Sequence, residues 1–202
     1  MTRIKLCGLS RTGDIEAANT LLPDYIGFVF APKSRRFVPP EEAAGLRRLL
    51  RPEIQAVGVF VNEEPEAVAK LLNEGVIDIA QLHGTEDEVY IRRLRQLTDR
   101  PLIQAFRIQS KEDLILAELS SADEILLDAG AGTGTVFDWS LLQNAGRRYF
   151  LAGGLTPENA GNAIRSLHPF ALDVSSGIET EGRKDPGKMA AFVSAVRKEN
   201  QP

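Results

Sequence analysis

Residues 149–166 read YFLAGGLTPENAGNAIRS and contain a strand, a loop and a helix in succession. The apolar run at residues 149–152 is typical of a buried strand, and Gly153 and Gly154 follow it. Thr156 then precedes a proline, which is a common helix start because the hydroxyl caps the helix and proline fits its first position. We therefore predict that one complete βα unit spans this stretch.

The same unit recurs along the whole chain. Short apolar runs rich in β-branched and aromatic residues alternate with longer stretches whose apolar residues have helical spacing. The predicted strands are residues 4–8, 25–30, 54–61, 77–82, 102–106, 124–127, 149–152 and 171–174. The predicted helices are residues 12–22, 40–50, 65–74, 86–97, 111–119, 138–145, 156–166 and 185–198.

This alternation predicts the fold. Strands that alternate with helices lie parallel, because each parallel return needs a crossover that a helix usually supplies. The eight units predict a single-domain α/β protein, residues 1–202, whose eight parallel strands close into a (β/α)8 TIM barrel. An open doubly wound sheet is the alternative. It is disfavoured because no GxGxxG motif opens the first helix, where a dinucleotide site would need one.

The composition excludes several classes of function. The chain carries 24 Lys and Arg against 28 Asp and Glu, and no basic run could neutralise a nucleic-acid backbone. The first residues lack a signal-peptide pattern, and no apolar run reaches the ~20 residues of a spanning helix. We therefore expect a cytoplasmic protein that binds neither nucleic acid nor membrane. The single cysteine, Cys7, excludes an internal disulfide and a multi-thiolate zinc site.

The loops after the seventh and eighth predicted strands have the composition of a phosphate site. Functional residues of a barrel lie at the C-terminal ends of its strands, and phosphate commonly binds after strands seven and eight. Gly153 and Gly154 allow backbone N–H groups to approach an oxyanion, and Ser175 and Ser176 can add hydroxyl donors at a helix start. Asp173 is expected to hold the second loop through backbone N–H groups. The alternative is that the two glycines only form a tight turn.

Two other strand ends carry groups that could transfer protons. Cys7 ends the first strand, and a thiolate there could act as general base if a cation or N–H groups stabilised it. We therefore expect Cys7 to be partly ionised in the free protein. Asp128 ends the sixth strand, where partial desolvation is expected to raise its pKa and suit it to donate a proton. The structural alternatives are a small buried apolar residue for Cys7 and a loop cap for Asp128.

A basic run follows the second strand and a histidine follows the fourth. Arg36 lies in this run with Lys33 and Arg35, most of which is expected to be solvated, and one arginine aimed inward would bind a carboxylate through two parallel hydrogen bonds. His83 could bind a substrate or pair with the backbone, and its position does not decide between these roles.

Several short motifs at the predicted strand ends form an ordered series. They are Lys5-Leu6-Cys7-Gly8, Gly27-Phe28-Val29-Phe30, Pro32-Lys33-Ser34-Arg35-Arg36, Val57-Gly58-Val59-Phe60-Val61-Asn62, Gln81-Leu82-His83-Gly84, Leu127-Asp128, Gly132-Thr133-Gly134, Phe137-Asp138-Trp139, Gly153-Gly154 and Asp173-Val174-Ser175-Ser176-Gly177. Each motif is short, but their order and spacing over nearly the whole chain resemble the phosphoribosylanthranilate isomerase family.

The resemblance implies a reaction and a role for each candidate residue. The reaction is the Amadori rearrangement of N-(5-phosphoribosyl)anthranilate to the 1-deoxyribulose 5-phosphate derivative in tryptophan biosynthesis, with no metal or organic cofactor. It implies that Asp128 protonates the furanose ring oxygen and that Cys7 removes the proton from sugar C2. Arg36 is implied to bind the anthranilate carboxylate. The residues implied to bind the phosphate are Gly153, Gly154, Ser175 and Ser176, near Asp173.

One departure from the family follows Asp128. The loop at residues 129–136 looks shorter than in many relatives. We expect this difference to affect loop closure or turnover.

Three other functions remain open at this level. A sugar-phosphate epimerase would share the two loops but would need metal ligands or paired acids at strand ends, and the histidines are only His83 and His168. The related isomerase of histidine biosynthesis would use paired aspartates, and Cys7 replaces the first of them. A catalytically silent phosphate-binding barrel would not need both Cys7 and Asp128. Either a monomer or a homodimer is expected.

Overall fold

The computed structural model describes residues 1–128, 130 and 139–201. Within these residues, eight parallel strands close into a barrel in chain order, because β8 pairs with β1. The strands are β1 (Arg3–Cys7), β2 (Tyr25–Val29), β3 (Gln55–Phe60), β4 (Ile79–Leu82), β5 (Leu102–Arg107), β6 (Glu124–Asp128), β7 (Tyr149–Ala152) and β8 (Ala171–Val174). Two short strands, β9 (Glu179–Thr180) and β10 (Arg183–Lys184), form an antiparallel pair after β8. The predicted parallel barrel is confirmed.

Helices occupy the connections between the strands. The α-helices of the described residues are α1 (Thr12–Leu21), α2 (Pro40–Leu49), α3 (Pro65–Asn73), α4 (Glu88–Arg95), α5 (Lys111–Glu118), α6 (Pro157–Leu167) and α7 (Pro186–Glu199). None of these helices combines the length and the apolar character that crossing a bilayer requires.

The sixth predicted helix, residues 138–145, differs from the structure. Residue 138 lies outside the described part of the chain, and Trp139–Leu142 forms a single turn of 3-10 helix. Asn144 and Gly146 disfavour helix formation, and the chain must reach β7 at Tyr149 soon afterwards. The segment before β7 therefore contains too few helix-forming residues to continue as an α-helix.

The apolar core has two parts, because side chains alternate between the two faces of each strand. Outward side chains such as Leu6 and Phe28 are fully buried beneath the helices. The inward side chains that fill the barrel are Tyr25, Val57, Ile79, Ile103, Leu126, Phe150, Ala152 and Ala171. Burial of a large apolar side chain stabilises the fold by ~1.5–3 kcal/mol. The barrel interior is therefore filled with apolar side chains below the C-terminal ends of the strands.

The starts of α6 and α7 fix the lengths of the loops after β7 and β8. At α6, the Asn159 side chain accepts a hydrogen bond of 2.8 Å from the Thr156 backbone N–H. At α7, the Asp185 carboxylate accepts hydrogen bonds from the N–H groups of Gly187 and Lys188. Both helix starts lie where the sequence predicted them, and such caps typically contribute about 1 kcal/mol each.

Candidate active site

A pocket of about 480 Å³ opens at the C-terminal ends of the barrel strands. Val29 and Val59 form part of its apolar wall, and His83 and Arg107 add polar groups. Every residue that the sequence indicated as catalytic or substrate-binding lines this pocket: Cys7, Arg36, Asp128, Gly153, Gly154, Asp173, Ser175 and Ser176. Parallel strands of a barrel end on one face, which explains why distant residues meet here.

Cys7 lies above a buried ion pair. Side chains alternate along β1, so Lys5 and Cys7 both point into the barrel while Leu6 packs outward. The Lys5 ammonium is 2.7 Å from Oδ2 of Asp173, and none of the Lys5 side chain is exposed. Asp173 was expected to bind N–H groups of its loop, but it binds Lys5 instead, because a buried ammonium requires a counter-charge. Its Oδ1 is buried and has no partner among the described residues.

The pKa of Cys7 is raised above its ordinary value. Burial is the largest cause, since only 7% of the residue is exposed and a thiolate would lose its hydration there. The ammonium of Lys5 lowers this pKa, Asp173 raises it, and Lys184 lowers it. Cys7 is therefore a thiol at neutral pH in the free protein, and the partial ionisation expected from the sequence is wrong.

Asp128 also differs from its expected state. Its Oδ1 accepts a hydrogen bond of 2.8 Å from the Gly130 N–H, and Oδ2 lies 3.6 Å from Nε2 of His83. Burial raises the pKa of this carboxyl, but His83, the Gly130 hydrogen bond and the charge of Arg107 together outweigh burial. The pKa of Asp128 is lowered, so the raised pKa expected from desolvation is wrong. Asp128 is a carboxylate at neutral pH.

The ring of His83 is bound by side chains of the described residues, while its backbone N–H donates to the Phe60 carbonyl oxygen. Its Nδ1 lies 2.7 Å from Nε2 of Gln81, which is 1% exposed. With the amide N–H as donor, Nδ1 is the acceptor and the ring proton lies on Nε2, facing Asp128. Gln81 therefore orients the imidazole toward the carboxylate.

Arg36 is the arginine of the run that turns inward, whereas Arg35 stays at the surface. Their side chains are 23% and 59% exposed, respectively. Nε and Nη2 of Arg36 donate to the Glu179 carboxylate at 2.5 and 3.1 Å. Burial raises the pKa of Glu179, but Arg36 and Lys184 lower it to about 2. One edge of the Arg36 guanidinium is thus occupied, and a ligand carboxylate has to approach the other edge.

The two predicted phosphate loops pack directly against each other. Gly153 and Gly154 have φ values of 93° and 62°, which favour glycine. A Cβ added to Gly177 would lie 1.9 Å from the carbonyl oxygen of Leu155. The contact requires a residue without a side chain, and it fixes the spacing between the loops.

Ser175 connects the second loop to β1. Its hydroxyl donates to the Cys7 carbonyl oxygen at 3.2 Å, and Lys184 Nζ donates to the Ser175 carbonyl oxygen at 2.8 Å. The Ser175 hydroxyl proton is therefore already used inside the protein. Ser176 begins a short 3-10 turn, Ser176–Ile178.

Replacing Gly177 with alanine is expected to separate the two loops. The added methyl group overlaps backbone and no flexible side chain can yield, so we expect a loss of ~1–3 kcal/mol of stability and a higher KM. Gly13 in α1 is the matched control, because a Cβ there meets nothing within 4 Å. Gly13→Ala should keep the native KM and gain ~0.5–1 kcal/mol of stability. Thermal unfolding and substrate titration measure both, and an unchanged KM in Gly177→Ala contradicts the loop contact.

The sequence analysis did not identify five polar residues of the site, which are Lys5, Gln81, Arg107, Glu179 and Lys184. Lys5 and Gln81 each stand two positions before a candidate residue, so the period of a strand alone would place them on the same face. Glu179 and Lys184 carry no comparable signal, since their contacts depend on how the chain turns after β8.

The sequence matches the family profile described as N-(5'phosphoribosyl)anthranilate (PRA) isomerase over residues 4–195. The chain belongs to this family. A member from Endomicrobium trichonymphae, named N-(5'-phosphoribosyl)anthranilate isomerase, is 41% identical over 202 residues, which cover 98% of this chain and 99% of the relative. The epimerase and the histidine-pathway isomerase are therefore not supported.

Solved structures of the family are similar over nearly the whole chain. One is described as monomers of dimeric phosphoribosylanthranilate isomerase from Thermotoga maritima, with a TM-score of 0.86, 36% identity, and coverage of 98% of this chain and 100% of that one. Another phosphoribosyl anthranilate isomerase was solved in complex with reduced 1-(o-carboxyphenylamino)-1-deoxyribulose 5-phosphate. Its TM-score is 0.85 at 35% identity, with coverage of 98% and 100%.

Part of the family pattern lies outside the described residues. This part comprises Gly132-Thr133-Gly134, Phe137-Asp138 and the loop at residues 129–136 apart from residue 130.

Proposed function

We propose that the protein performs its family's reaction in this pocket, with Cys7 as general base and Asp128 as general acid. As a member of the family it is an isomerase of N-(5'-phosphoribosyl)anthranilate, an enzyme of tryptophan biosynthesis. The reaction is an Amadori rearrangement that yields 1-(2-carboxyphenylamino)-1-deoxyribulose 5-phosphate, and the proposed route uses no cofactor. The observation that carries the proposal is the convergence of Cys7, Asp128, Arg36 and two glycine-containing loops on one pocket.

The first step opens the ribose ring. Asp128 donates its proton to the furanose ring oxygen, and the bond between that oxygen and C1 breaks. The lone pair of the anthranilate nitrogen forms a C=N bond to C1, which gives an iminium ion. A positioned acid of this kind typically accelerates such a step by 10²–10⁴-fold.

The second step removes the proton from C2. The Cys7 thiolate takes this proton, the C–H electron pair forms a C1=C2 bond, and the C=N electron pair returns to nitrogen. The resulting enolamine tautomerises to the ketone, with a proton added at C1 and the C2 hydroxyl proton lost. Asp128 is then a carboxylate and Cys7 a thiol, while the substrate has gained one proton on the former ring oxygen and lost one from C2.

The resting protonation states determine how the pair works. The dominant form has a Cys7 thiol and an Asp128 carboxylate, since the pKa of Cys7 is raised and that of Asp128 is lowered. The reactive form, thiolate with carboxylic acid, holds the same number of protons and is reached by moving one proton. Burial already raises the pKa of Asp128, whose side chain is 30% exposed, so a substrate that displaces the remaining water favours the acid form.

The two anionic ends of the substrate, the phosphate and the carboxylate, are proposed to bind different groups of the pocket. Gly153, Gly154 and the start of the 3-10 turn at Ser176 offer backbone N–H groups for the phosphate, and Ser175 contributes through its backbone because its hydroxyl is engaged. Arg36 offers its open edge to the anthranilate carboxylate. Asp173 also lines the pocket, and its carboxylate is proposed to bind a sugar hydroxyl.

Replacing Arg36 with methionine is expected to raise KM by ~10–100-fold, because a hydrogen bond to a charged group contributes about 1.5–3 kcal/mol. The effect on kcat should be smaller, since the carboxylate does not change during the reaction. Arg35→Met is the matched control, because Arg35 binds the same Glu179 from the surface. It should leave KM within a few-fold of native. Equal increases in KM for the two variants would mean that Arg36 acts only through Glu179.

Turnover by the native protein tests the function. N-(5'-phosphoribosyl)anthranilate generated in situ loses its anthranilate-type fluorescence when it is isomerised, and we expect rapid decay with native protein. A protein that binds this compound without consuming it would be the catalytically silent barrel.

The remaining proposals concern the organisation of the protein. We infer one domain over residues 1–202, and the pairing of β8 with β1 supports it. We propose a cytoplasmic monomer or homodimer, and the relative described as dimeric supports the second form.

A further inference from the structure

Lys5 occupies an unusual position for a cation. It points into the barrel from β1, and its side chain is fully buried. Apart from Asp173, which pairs with Lys5 in register on β8, its inward neighbours include Tyr25, which pairs with it on β2, and Val57 on β3. A lysine in such surroundings loses its hydration, so a charge there calls for an explanation.

The partner of Lys5 explains only part of this position. Lys5 Nζ binds Oδ2 of Asp173 at 2.7 Å, and Asp173 Oδ1 has no partner within the described chain. Burial lowers the pKa of Lys5, but Asp173 and Cys7 raise it more, so Lys5 stays charged. A buried ion pair is often no more stabilising than apolar residues of the same volume. Stability alone therefore does not account for the pair.

We propose that Lys5 is a positioning residue that stabilises the negative charge on Cys7 when this residue acts as a base. The proposal rests on the role of Cys7 given above. Lys5 stands two residues before Cys7 on the same face of β1, so the two side chains are neighbours inside the barrel. It touches no reacting atom of the substrate, and it acts only through Cys7.

The other charged groups around Cys7 have a smaller effect on its pKa than Lys5 does. From the neighbouring strand β2, Gly27 and Val29 contribute no charge. After burial, Lys5 has the largest influence on the pKa of Cys7, and its charge lowers this pKa more than that of Lys184 does. The remaining charged or titratable groups, which line the same pocket, are Arg36, His83, Arg107, Asp128 and Asp173.

If Lys5 acts through Cys7, the thiol pKa and kcat should change together, whereas a lysine with a purely structural role would not couple them. If Lys5 is removed, the thiol pKa rises and the fraction of protein with thiolate and carboxylic acid falls by the same factor. A tenfold change in ionisation should then appear both in thiol reactivity and in kcat. KM should stay within a few-fold of native, because Lys5 lies beneath the pocket wall.

The experiment measures iodoacetamide alkylation of the folded protein against pH by mass spectrometry. Cys7 is the only cysteine, so the rate reports on it alone. Lys5→Met should raise the thiol pKa, slow alkylation at neutral pH at least ~10-fold, and lower kcat by a similar factor. Tyr25→Phe is the control, because it alters the same interior layer without removing a charge, and it should leave both quantities unchanged. An unchanged thiol pKa in Lys5→Met would overturn the proposal.

A second variant covers the case in which Lys5→Met does not fold with Asp173 left unpaired. In Lys5→Met/Asp173→Asn both charges are absent, and the thiol pKa should still rise, because Lys5 lowers it more than Asp173 raises it. A thiol pKa equal to or below native in this variant also overturns the proposal. Failure of the proposed function would be recognised by a different result. Cys7→Ala would then keep full activity, whatever the alkylation data show.

Discussion

Replacing Cys7 with alanine is expected to lower kcat for the isomerisation at least ~100-fold, with KM within a few-fold of native. Without the sulfur, the group proposed to take the C2 proton is missing. Cys7→Ser should lose activity to a similar extent, because a hydroxyl of similar size ionises far less readily than a thiol. Fluorescence decay under saturating substrate measures both variants.

Folding of these variants has to be checked separately. Cys7 packs against Val29 and Val59, and removal of one sulfur atom from this layer should cost ~1 kcal/mol. Thermal unfolding should therefore show a native-like transition for Cys7→Ala. Near-native kcat in a folded Cys7→Ser variant would contradict the role of Cys7 as the base.

Replacing Asp128 with asparagine is expected to lower kcat by ~10²–10⁴-fold. The amide oxygen can still accept the hydrogen bond from the Gly130 N–H, so the local structure should persist. The amide cannot donate a proton to the ring oxygen, and ring opening becomes rate-limiting. The kcat value of the variant measures this loss directly.

Asp123, just before the start of β6, provides a matched control for Asp128. Asp123 precedes β6 and accepts a hydrogen bond of 2.7 Å from the Leu102 N–H, away from the pocket. Asp123→Asn should reduce stability slightly and leave kcat unchanged. If Asp128→Asn keeps near-native kcat while His83→Asn loses it, the imidazole would be the acid and the assignment of Asp128 would be wrong.

The barrel and the residues that line the pocket could be predicted from the sequence, because both depend on local patterns. The period of the apolar residues indicated each strand, and the strand ends indicated which side chains share one face. The helix before β7 was not predicted correctly, since Asn144 and Gly146 stop it after one turn. This error did not affect the site, because β7 itself starts where expected.

The ionisation states could not be predicted in the same way. They depend on contacts between residues far apart in the chain, such as Lys5 with Asp173 and Arg36 with Glu179. Desolvation alone suggested a raised pKa for Asp128, but His83 and the Gly130 N–H reverse its direction. A motif shows which groups meet, and only their packing decides which of them is charged.

The assigned protonation states of Cys7 and Asp128 can be measured by titrating the native protein and comparing kcat/KM with Cys7 alkylation over the same pH range. Resting and reactive forms hold the same number of protons, so kcat/KM should be flat across the neutral range. It should fall at high pH as Cys7 loses its proton, at a pKa above the ordinary thiol value, and at low pH as Asp128 gains one, at a pKa below the ordinary carboxyl value. The alkaline limb should coincide with the alkylation titration. An alkaline limb at a different pH, or a rate that follows a group titrating near neutrality, would contradict the roles of Cys7 as base and Asp128 as acid.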